Sequence, residues 1–255
     1  MGNVMKLMEF YLLSLAFGVS LFIFLADTKK TGAGFIKITS SLCGASTLLC
    51  LGLSLTYRDF MTTQTLFLSL ATLSFLLTYL FHEDEKSYMM RVLYRVHTLT
   101  LALSMFSFFA GNWHDFLFAL SSSLLLGIIT YAMLLGHWYL VTPRLSEKPL
   151  QYATYIMWAL LAVKIVWSVM TYFELSKYFS SGTNLGAGYV FNWLMLTMRV
   201  GWGYFVIAVM SYFGYRLISM RSMQSATGML YAMTFFIFIG ELISMYMFLE
   251  YGMKI

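Results

Sequence analysis

Residues 115–141 have the sequence DFLFALSSSLLLGIITYAMLLGHWYLV, in which no Asp, Glu, Lys or Arg follows the first position. A helix needs roughly 20 predominantly apolar residues to cross a hydrocarbon core of about 30 Å, and this stretch provides them. Similar apolar stretches occur before and after it in the chain. Apolar stretches bounded by charge, Gly, Pro or Asn predict helices at 7–26, 35–57, 62–81, 89–110, 115–141, 151–176, 187–218 and 225–250. We therefore predict an all-α, polytopic membrane bundle of about eight transmembrane helices.

The composition supports this architecture. Of the 255 residues, 60% are apolar and 11% are charged, whereas charged residues make up about a quarter of a soluble domain. A water-soluble surface cannot be built from that inventory. Helices and short connectors leave no room for another folded unit, so residues 1–255 are predicted to form a single transmembrane domain with the lipid bilayer as its main partner.

The distribution of basic residues predicts the orientation. Although the formal net charge is +5, no basic block occurs, and nucleic acid is not expected as a partner. One side holds the first, third, fifth and seventh connectors with Lys29, Lys30, Lys37, Lys86, Arg91, Arg95, Arg144, Lys148, Arg216 and Arg221. The other side holds Lys6, Arg58, Lys177 and Lys254. Because cytoplasmic connectors carry the excess of Lys and Arg, both termini are predicted outside, in a multi-pass protein of the cell (inner) membrane.

Motifs of soluble catalysis are absent. The sequence contains no P-loop, no His-Glu-x-x-His, no Gly-x-Ser-x-Gly and no Gly-x-Gly-x-x-Gly, so hydrolase and nucleotide-driven functions gain no support. Cys43 and Cys50 lie in one predicted helix about 10 Å apart, beyond disulfide reach. The two prolines fall in one connector, so no helix is predicted to be broken by proline, although Gly201 and Gly203 could interrupt the seventh.

Three ionisable residues are predicted near the middle of the membrane. Lys164, Arg199 and Glu241 lie in the sixth, seventh and eighth predicted helices, at similar depth. Charges in hydrocarbon are costly and face a cavity or a partner, so we expect contact, above all between Arg199 and Glu241. The cluster either moves protons, binds an anionic or quinone-like ligand or gates a path, or it is a structural ion pair that fixes helix rotation.

Two histidines at similar depth form a second candidate site. His97 and His137 lie near the cytoplasmic ends of the fourth and fifth predicted helices, and imidazole is an ordinary axial ligand of b haem. Arg91 and Arg95, one turn apart, are candidates to receive the haem propionates. The alternative is that both imidazoles form hydrogen bonds to Ser225, Thr227 or a quinone headgroup. The other histidines have simpler explanations: His82 as a solvated loop residue and His114 as an interfacial one.

These sites lead to three functional hypotheses. The first is a respiratory or redox membrane protein that binds b haem or quinone and passes electrons or protons. The second is a transporter or channel that uses the Lys164, Arg199 and Glu241 cluster. The third is a structural subunit that stabilises a larger complex with other membrane subunits. Whether the protein is an enzyme stays open on the sequence alone.

Overall fold

The computed structural model describes residues 2–25, 31, 33–59, 61–81, 88–142 and 145–255, with the backbone only for residues 2, 24, 33 and 88–91. Long helices account for most of this part of the chain, and it contains no strand. The helices are α1 (Gly2–Phe22), α2 (Ala33–Ser54), α3 (Thr63–Leu80), α4 (Tyr88–Phe108), α5 (Trp113–Val141), α6 (Lys148–Glu174), α7 (Tyr189–Ser219) and α8 (Met223–Tyr251). Every predicted segment overlaps one of them.

Within the described residues, seven helices are long and apolar enough to cross a membrane, and α4 contributes the shorter apolar helix Val92–Phe108. The described chain is thus all-helical and compatible with a multi-pass membrane bundle. The ends differ locally from the prediction. The first helix, expected at 7–26, begins at Gly2 and gives way after Phe22 to the 3₁₀ turn Ile23–Leu25.

Side-chain and backbone chemistry explains several helix ends. The Thr62 hydroxyl accepts a hydrogen bond from the backbone N–H of Thr65 and caps α3, and the Asn112 side chain accepts one from the N–H of His114 and caps α5. Both supply an acceptor to N–H groups that have no partner inside the helix. Gly252 ends α8 with a left-handed φ of 71°, a conformation that glycine adopts without a side-chain clash.

Helices α1, α5 and α8 form the centre of the bundle. The buried share of their apolar windows is 61%, 72% and 56%, against 28% for α6 and 33% for α7. Helix α1 packs on α2, α4 and α5, and α5 packs also on α6 and α8. Where α1 crosses α5, a Cβ on either Gly18 or Gly127 would clash with the backbone of the other helix. Small residues permit such close packing where lipid gives no hydrophobic drive.

Helix α7 is regular except at its middle. Residues Arg199–Val206 form a π-helical segment between the α-helical parts Tyr189–Met198 and Ile207–Ser219. Such segments are rare and often lie at functional sites. The helix is therefore altered where Gly201 and Gly203 occur, as the sequence suggested, but it stays continuous. The altered turn begins at Arg199.

Candidate functional site

The structure brings together the three charged residues that the sequence placed at mid-membrane depth. The Nη2 atom of Arg199 donates to Oε1 of Glu241 at 2.8 Å. The Nζ atom of Lys164 lies 3.7 Å from Oε2 of the same carboxylate. The three side chains are between 0% and 1% exposed. We call Lys164, Arg199 and Glu241 the buried triad.

The charges of the buried triad do not balance. Two cations face one carboxylate, so the triad carries a net charge of +1 when all three groups are ionised. The Nε and Nη1 atoms of Arg199 and the Oε2 atom of Glu241 are buried and have no hydrogen-bond partner among the described residues. A guanidinium offers five N–H donors in a fixed fork. Arg199 therefore keeps donors for a further acceptor.

Aromatic rings and hydroxyls surround the two cations. Lys164 donates from Nζ to the Ser122 hydroxyl at 2.6 Å, and its Nζ lies 4.1 Å from the centre of the Phe118 ring. The guanidinium carbon of Arg199 lies 4.3 Å from the centre of the Tyr204 ring. Cations are attracted to the faces of aromatic rings, most strongly where water is excluded. These contacts offset part of the cost of burying charge.

Two glycines let α7 and α8 approach each other beside Arg199. A Cβ on Gly203 would lie 2.8 Å from Nη1 of Arg199 and 3.3 Å from the Cα of Gly240. A Cβ on Gly240 would lie 2.6 Å from the Cα of Gly203. Larger residues at either position would displace the guanidinium or separate the helices. The π-helical segment and this glycine contact together set the position of Arg199.

A polar cavity lies at one end of the bundle. It has a volume of about 510 Å³, and its charged lining comprises Lys6, Arg58, Asp115 and Lys254. We call it the vestibule. Within it, Nζ of Lys254 pairs with Oδ1 of Asp115 at 2.7 Å. The vestibule holds three cations and one carboxylate, so it is basic like the buried triad.

Phenylalanine rings in tilted contact lie between the vestibule and the buried triad. Phe109 and Phe248 line the vestibule, and their ring centres lie 5.7 Å apart. The ring of Phe248 lies 4.7 Å from that of Phe118, and the Phe118 ring is also in contact with the Lys164 ammonium. We call Phe109, Phe118 and Phe248 the aromatic plug. The vestibule and the triad are thus connected through rings, which rotate more readily than backbone moves.

A fourth buried charge, Glu9 of α1, is not among the site residues predicted from the sequence. Its side chain is 0% exposed, and its Oε1 atom accepts from Nη1 of Arg58 at 3.1 Å and from Nε2 of Gln64. Its Oε2 atom has no hydrogen-bond partner among the described residues. The sequence feature that could have identified Glu9 is a carboxylate inside a predicted apolar helix. Its nearness to the end of that helix made it resemble an ordinary boundary residue.

The two histidines have different surroundings. His97 is buried, its ring stacked at 4.1 Å on Phe75 of α3, and neither ring nitrogen has a hydrogen-bond partner in the part of the chain that the structure describes. His137 is exposed on α5, and its Nδ1 atom lies 2.9 Å from the hydroxyl of Tyr231. The predicted partner Thr227 instead donates to the carbonyl of Gly136 at 2.9 Å.

The structure describes the side chain of only one of the two arginines predicted to receive the haem propionates. Arg95 is exposed on α4, whereas His97 on the same helix is buried. The side chain of Arg91 lies outside the described residues, as do His82 and Arg144. Across the described ranges, no group of three or more His, Cys, Asp or Glu is placed to hold a metal ion. Haem ligation by His97 and His137 stays a prediction.

Comparisons of this chain with protein-family models, with curated proteins and with solved structures gave no match. Function must therefore be argued from the buried triad and its surroundings.

Proposed function

We propose that the protein is a multi-pass membrane transporter of an anionic solute and that the buried triad is its central binding site. The observation that carries the proposal is the presence of two basic side chains beside a single carboxylate, together with the N–H donors of Arg199 that have no partner among the described residues. An anion near Nε and Nη1 would neutralise the excess charge and accept those donors. Charged side chains inside a membrane mark substrate pathways more often than they serve as simple supports.

The cost of burying charge favours this function over a purely structural ion pair. Arg199 and Glu241 alone would form a balanced pair able to fix the packing of α7 on α8. Lys164 is not needed for that balance, and its burial adds a desolvation cost of several kcal/mol. A structural role accounts for the pair but not for the third charge. A site that binds an anion accounts for all three.

The vestibule, which is basic like the triad, offers an anion a path from water. Lys6, Arg58 and Lys254 line it, and a basic cavity with low-dielectric walls concentrates anions. The aromatic plug lies between this cavity and Lys164. We propose that rotation of Phe118 and Phe248 opens the path, so that an anion passes from Lys254 to Lys164.

The proposal includes the topology expected from the sequence. In this proposal the chain crosses a cell (inner) membrane eight times, with both termini and the vestibule outside and the connectors rich in Lys and Arg in the cytoplasm. Lys6, Arg58 and Lys254 then face the exterior. Labelling of single cysteines at positions 6 and 148, in a variant without Cys43 and Cys50, tests the sidedness. Labelling of position 148 from outside would contradict it.

Anion flux into proteoliposomes tests the function. Chloride, phosphate and acetate are supplied in turn under a valinomycin-set potassium potential, and uptake is compared between wild type, Lys164→Met and Lys148→Met. We expect uptake of at least one anion, lowered at least about tenfold in Lys164→Met because a buried charge contact is lost. Lys148 is exposed on the same helix, so its replacement is the matched control and should leave uptake unchanged.

Two results would contradict the transport proposal. One is the absence of uptake of all three anions by folded wild type. The other is an equal uptake by wild type and Lys164→Met. Melting temperatures of both variants, measured in the same detergent, establish that a loss of uptake is not a loss of fold.

A second candidate function, a redox protein with b haem or quinone, rests on His97. Its two ring nitrogens are buried without a partner in the described part of the chain, and a buried polar group without a partner calls for an explanation. The reduced-minus-oxidised absorption spectrum tests this function in protein expressed with ample haem. A b-type signal lost in His97→Ala and His137→Ala supports the ligand pair. No signal in wild type, or a signal kept in both variants, refutes it.

A further inference from the structure

A groove open to the outer face of the bundle lies between α6 and the first half of α7. Its volume is about 400 Å³, and its lining includes Val169 and Phe173 of α6 and Val200 of α7. These side chains are 49%, 71% and 46% exposed. Helix α6 packs on the second half of α7, Ile207–Ser219, which leaves the groove open beside the first half. We call it the α6–α7 groove.

Two buried hydroxyl residues lie at the floor of the α6–α7 groove, whose lining is otherwise apolar. Ser168 and Tyr204 both line it, are buried, and their hydroxyls lie 2.5 Å apart. Each hydroxyl carries one hydrogen, and a hydrogen bond between them uses only one of the two. One hydrogen therefore remains to be donated. The ring of Tyr204 also covers the guanidinium of Arg199, so the floor borders the buried triad.

The opposite side of α6 provides a comparison. A second apolar groove, of about 480 Å³, is lined there by Val163, Val166 and Met170 together with Thr171. The Thr171 hydroxyl donates to the carbonyl of Lys254 at 3.2 Å, so its hydrogen is already used. The two grooves are similar in size and in apolar walls. Only the α6–α7 groove offers a spare hydroxyl donor beside a positive charge.

This combination identifies the chemical class of the ligand. Both walls belong to helices long and apolar enough to span a membrane, so the groove opens to acyl chains and not to water. The exposed valines and Phe173 match a hydrocarbon chain. The hydroxyl donor and the net positive triad behind it match an acceptor that carries negative charge.

We infer that the α6–α7 groove binds a long-chain carboxylate that enters from the bilayer, with its chain along Val169 and Phe173 and its carboxylate accepting from the Ser168 and Tyr204 pair. The inference rests on the proposed function for one point, the positive charge of the triad that attracts the carboxylate, and it concerns a site reached from the bilayer and not through the vestibule. Binding in the groove is nevertheless measurable without any transport.

Photolabelling tests the inference. Purified protein in phosphatidylcholine nanodiscs is incubated with a palmitate analogue that carries a diazirine near the end of its chain, irradiated, and the labelled peptides are identified by mass spectrometry. We expect label in the peptides containing Val169, Phe173 and Val200. Unlabelled palmitate should compete at least about tenfold better than hexadecanol, because the alcohol has no charge for the triad to attract.

Two pairs of variants sharpen the test. Val169→Trp fills the α6–α7 groove and should abolish the labelling, whereas Val166→Trp fills the groove on the other side of α6 and should leave it unchanged. Tyr204→Phe keeps the ring over Arg199 but removes one of the two hydroxyls, and should reduce the preference for palmitate over hexadecanol. Tyr212→Phe, at an exposed position of the same helix, is its control.

Three outcomes would overturn the inference: labelling that survives Val169→Trp, labelling confined to peptides of the other groove, or equal competition by hexadecanol. Failure of the transport proposal gives a different result. Loss of anion uptake with retained, palmitate-selective labelling would reject the transporter and keep the groove site. Uptake with no label would reject the groove site alone.

Discussion

Two buried glutamates, each paired with an arginine, differ in their position along their helices and in the residues around them. Glu241 lies 18 positions into α8, counted from Met223, and its partner Arg199 is 0% exposed. Glu9 lies seven positions into α1, counted from Gly2, and its partner Arg58 is 20% exposed. The first pair has Lys164 as a further charge, whereas the second has the neutral Gln64.

The difference shows how surroundings set the role of a buried ion pair. Arg58 lines the vestibule, so its charge is partly solvated. If Arg58 is replaced, Glu9 still accepts a hydrogen bond from the neutral Gln64. Arg199 has no such access, and all its compensation comes from the protein. When a buried charge is compensated only by other protein groups, removing its oppositely charged partner destabilises the folded state. The inner pair should therefore be the more costly to break.

Glu241→Met should have the largest effect on stability, because it leaves Arg199 and Lys164 buried with no anion. We expect the free energy of unfolding to fall by about 3–5 kcal/mol. The double variant Arg199→Met/Glu241→Met should lose less, since the remaining Lys164 can release its proton. Unfolding in mixed micelles measures both. If the double variant is as unstable as Glu241→Met, the loss of stability does not come from leaving the charge of Arg199 without its partner.

Arg58→Met should have a smaller effect. Glu9 then retains the hydrogen bond from Gln64, so we expect a loss of about 1–3 kcal/mol. Lys6→Met is the control, because Lys6 is exposed in the same cavity and forms no ion pair among the described residues. A loss as large as that of Glu241→Met would contradict the contrast between the two pairs.

Glu147→Gln, at an exposed ion pair with Arg221 (2.7 Å), should have the smallest effect. A hydrogen bond from its own backbone N–H, followed by one from Arg221, lowers the pKa of Glu147 below its ordinary value of 4.5. A depressed pKa stabilises the folded state above pH 4.5, and this contribution is lost as the pH falls through the folded value. Melting temperatures of wild type and variant should differ little at pH 7 and converge below pH 4.5. Melting temperatures that diverge as the pH falls would contradict a lowered pKa of Glu147 in the folded state.

The sequence predicted the helices well because a membrane span has a strong signal: about 20 apolar residues with charges at the ends. It also predicted that Lys164, Arg199 and Glu241 meet, since equal depth on consecutive helices constrains where rare buried charges can find partners. The histidines had only depth in common. Depth does not fix the direction in which a side chain points, and His97 and His137 have separate neighbours.

The sequence by itself determined the all-helical class, the approximate limits of the helices and the positions of Lys164, Arg199 and Glu241 along them, because these depend on residues near one another in the chain. The tertiary structure alone decided the pairing of Glu9 with Arg58, the pairing of Lys254 with Asp115 in the vestibule, and the groove between α6 and α7. Each of these depends on how helices rotate and cross. Packing of side chains from distant segments sets that rotation, and periodicity along one helix does not encode it.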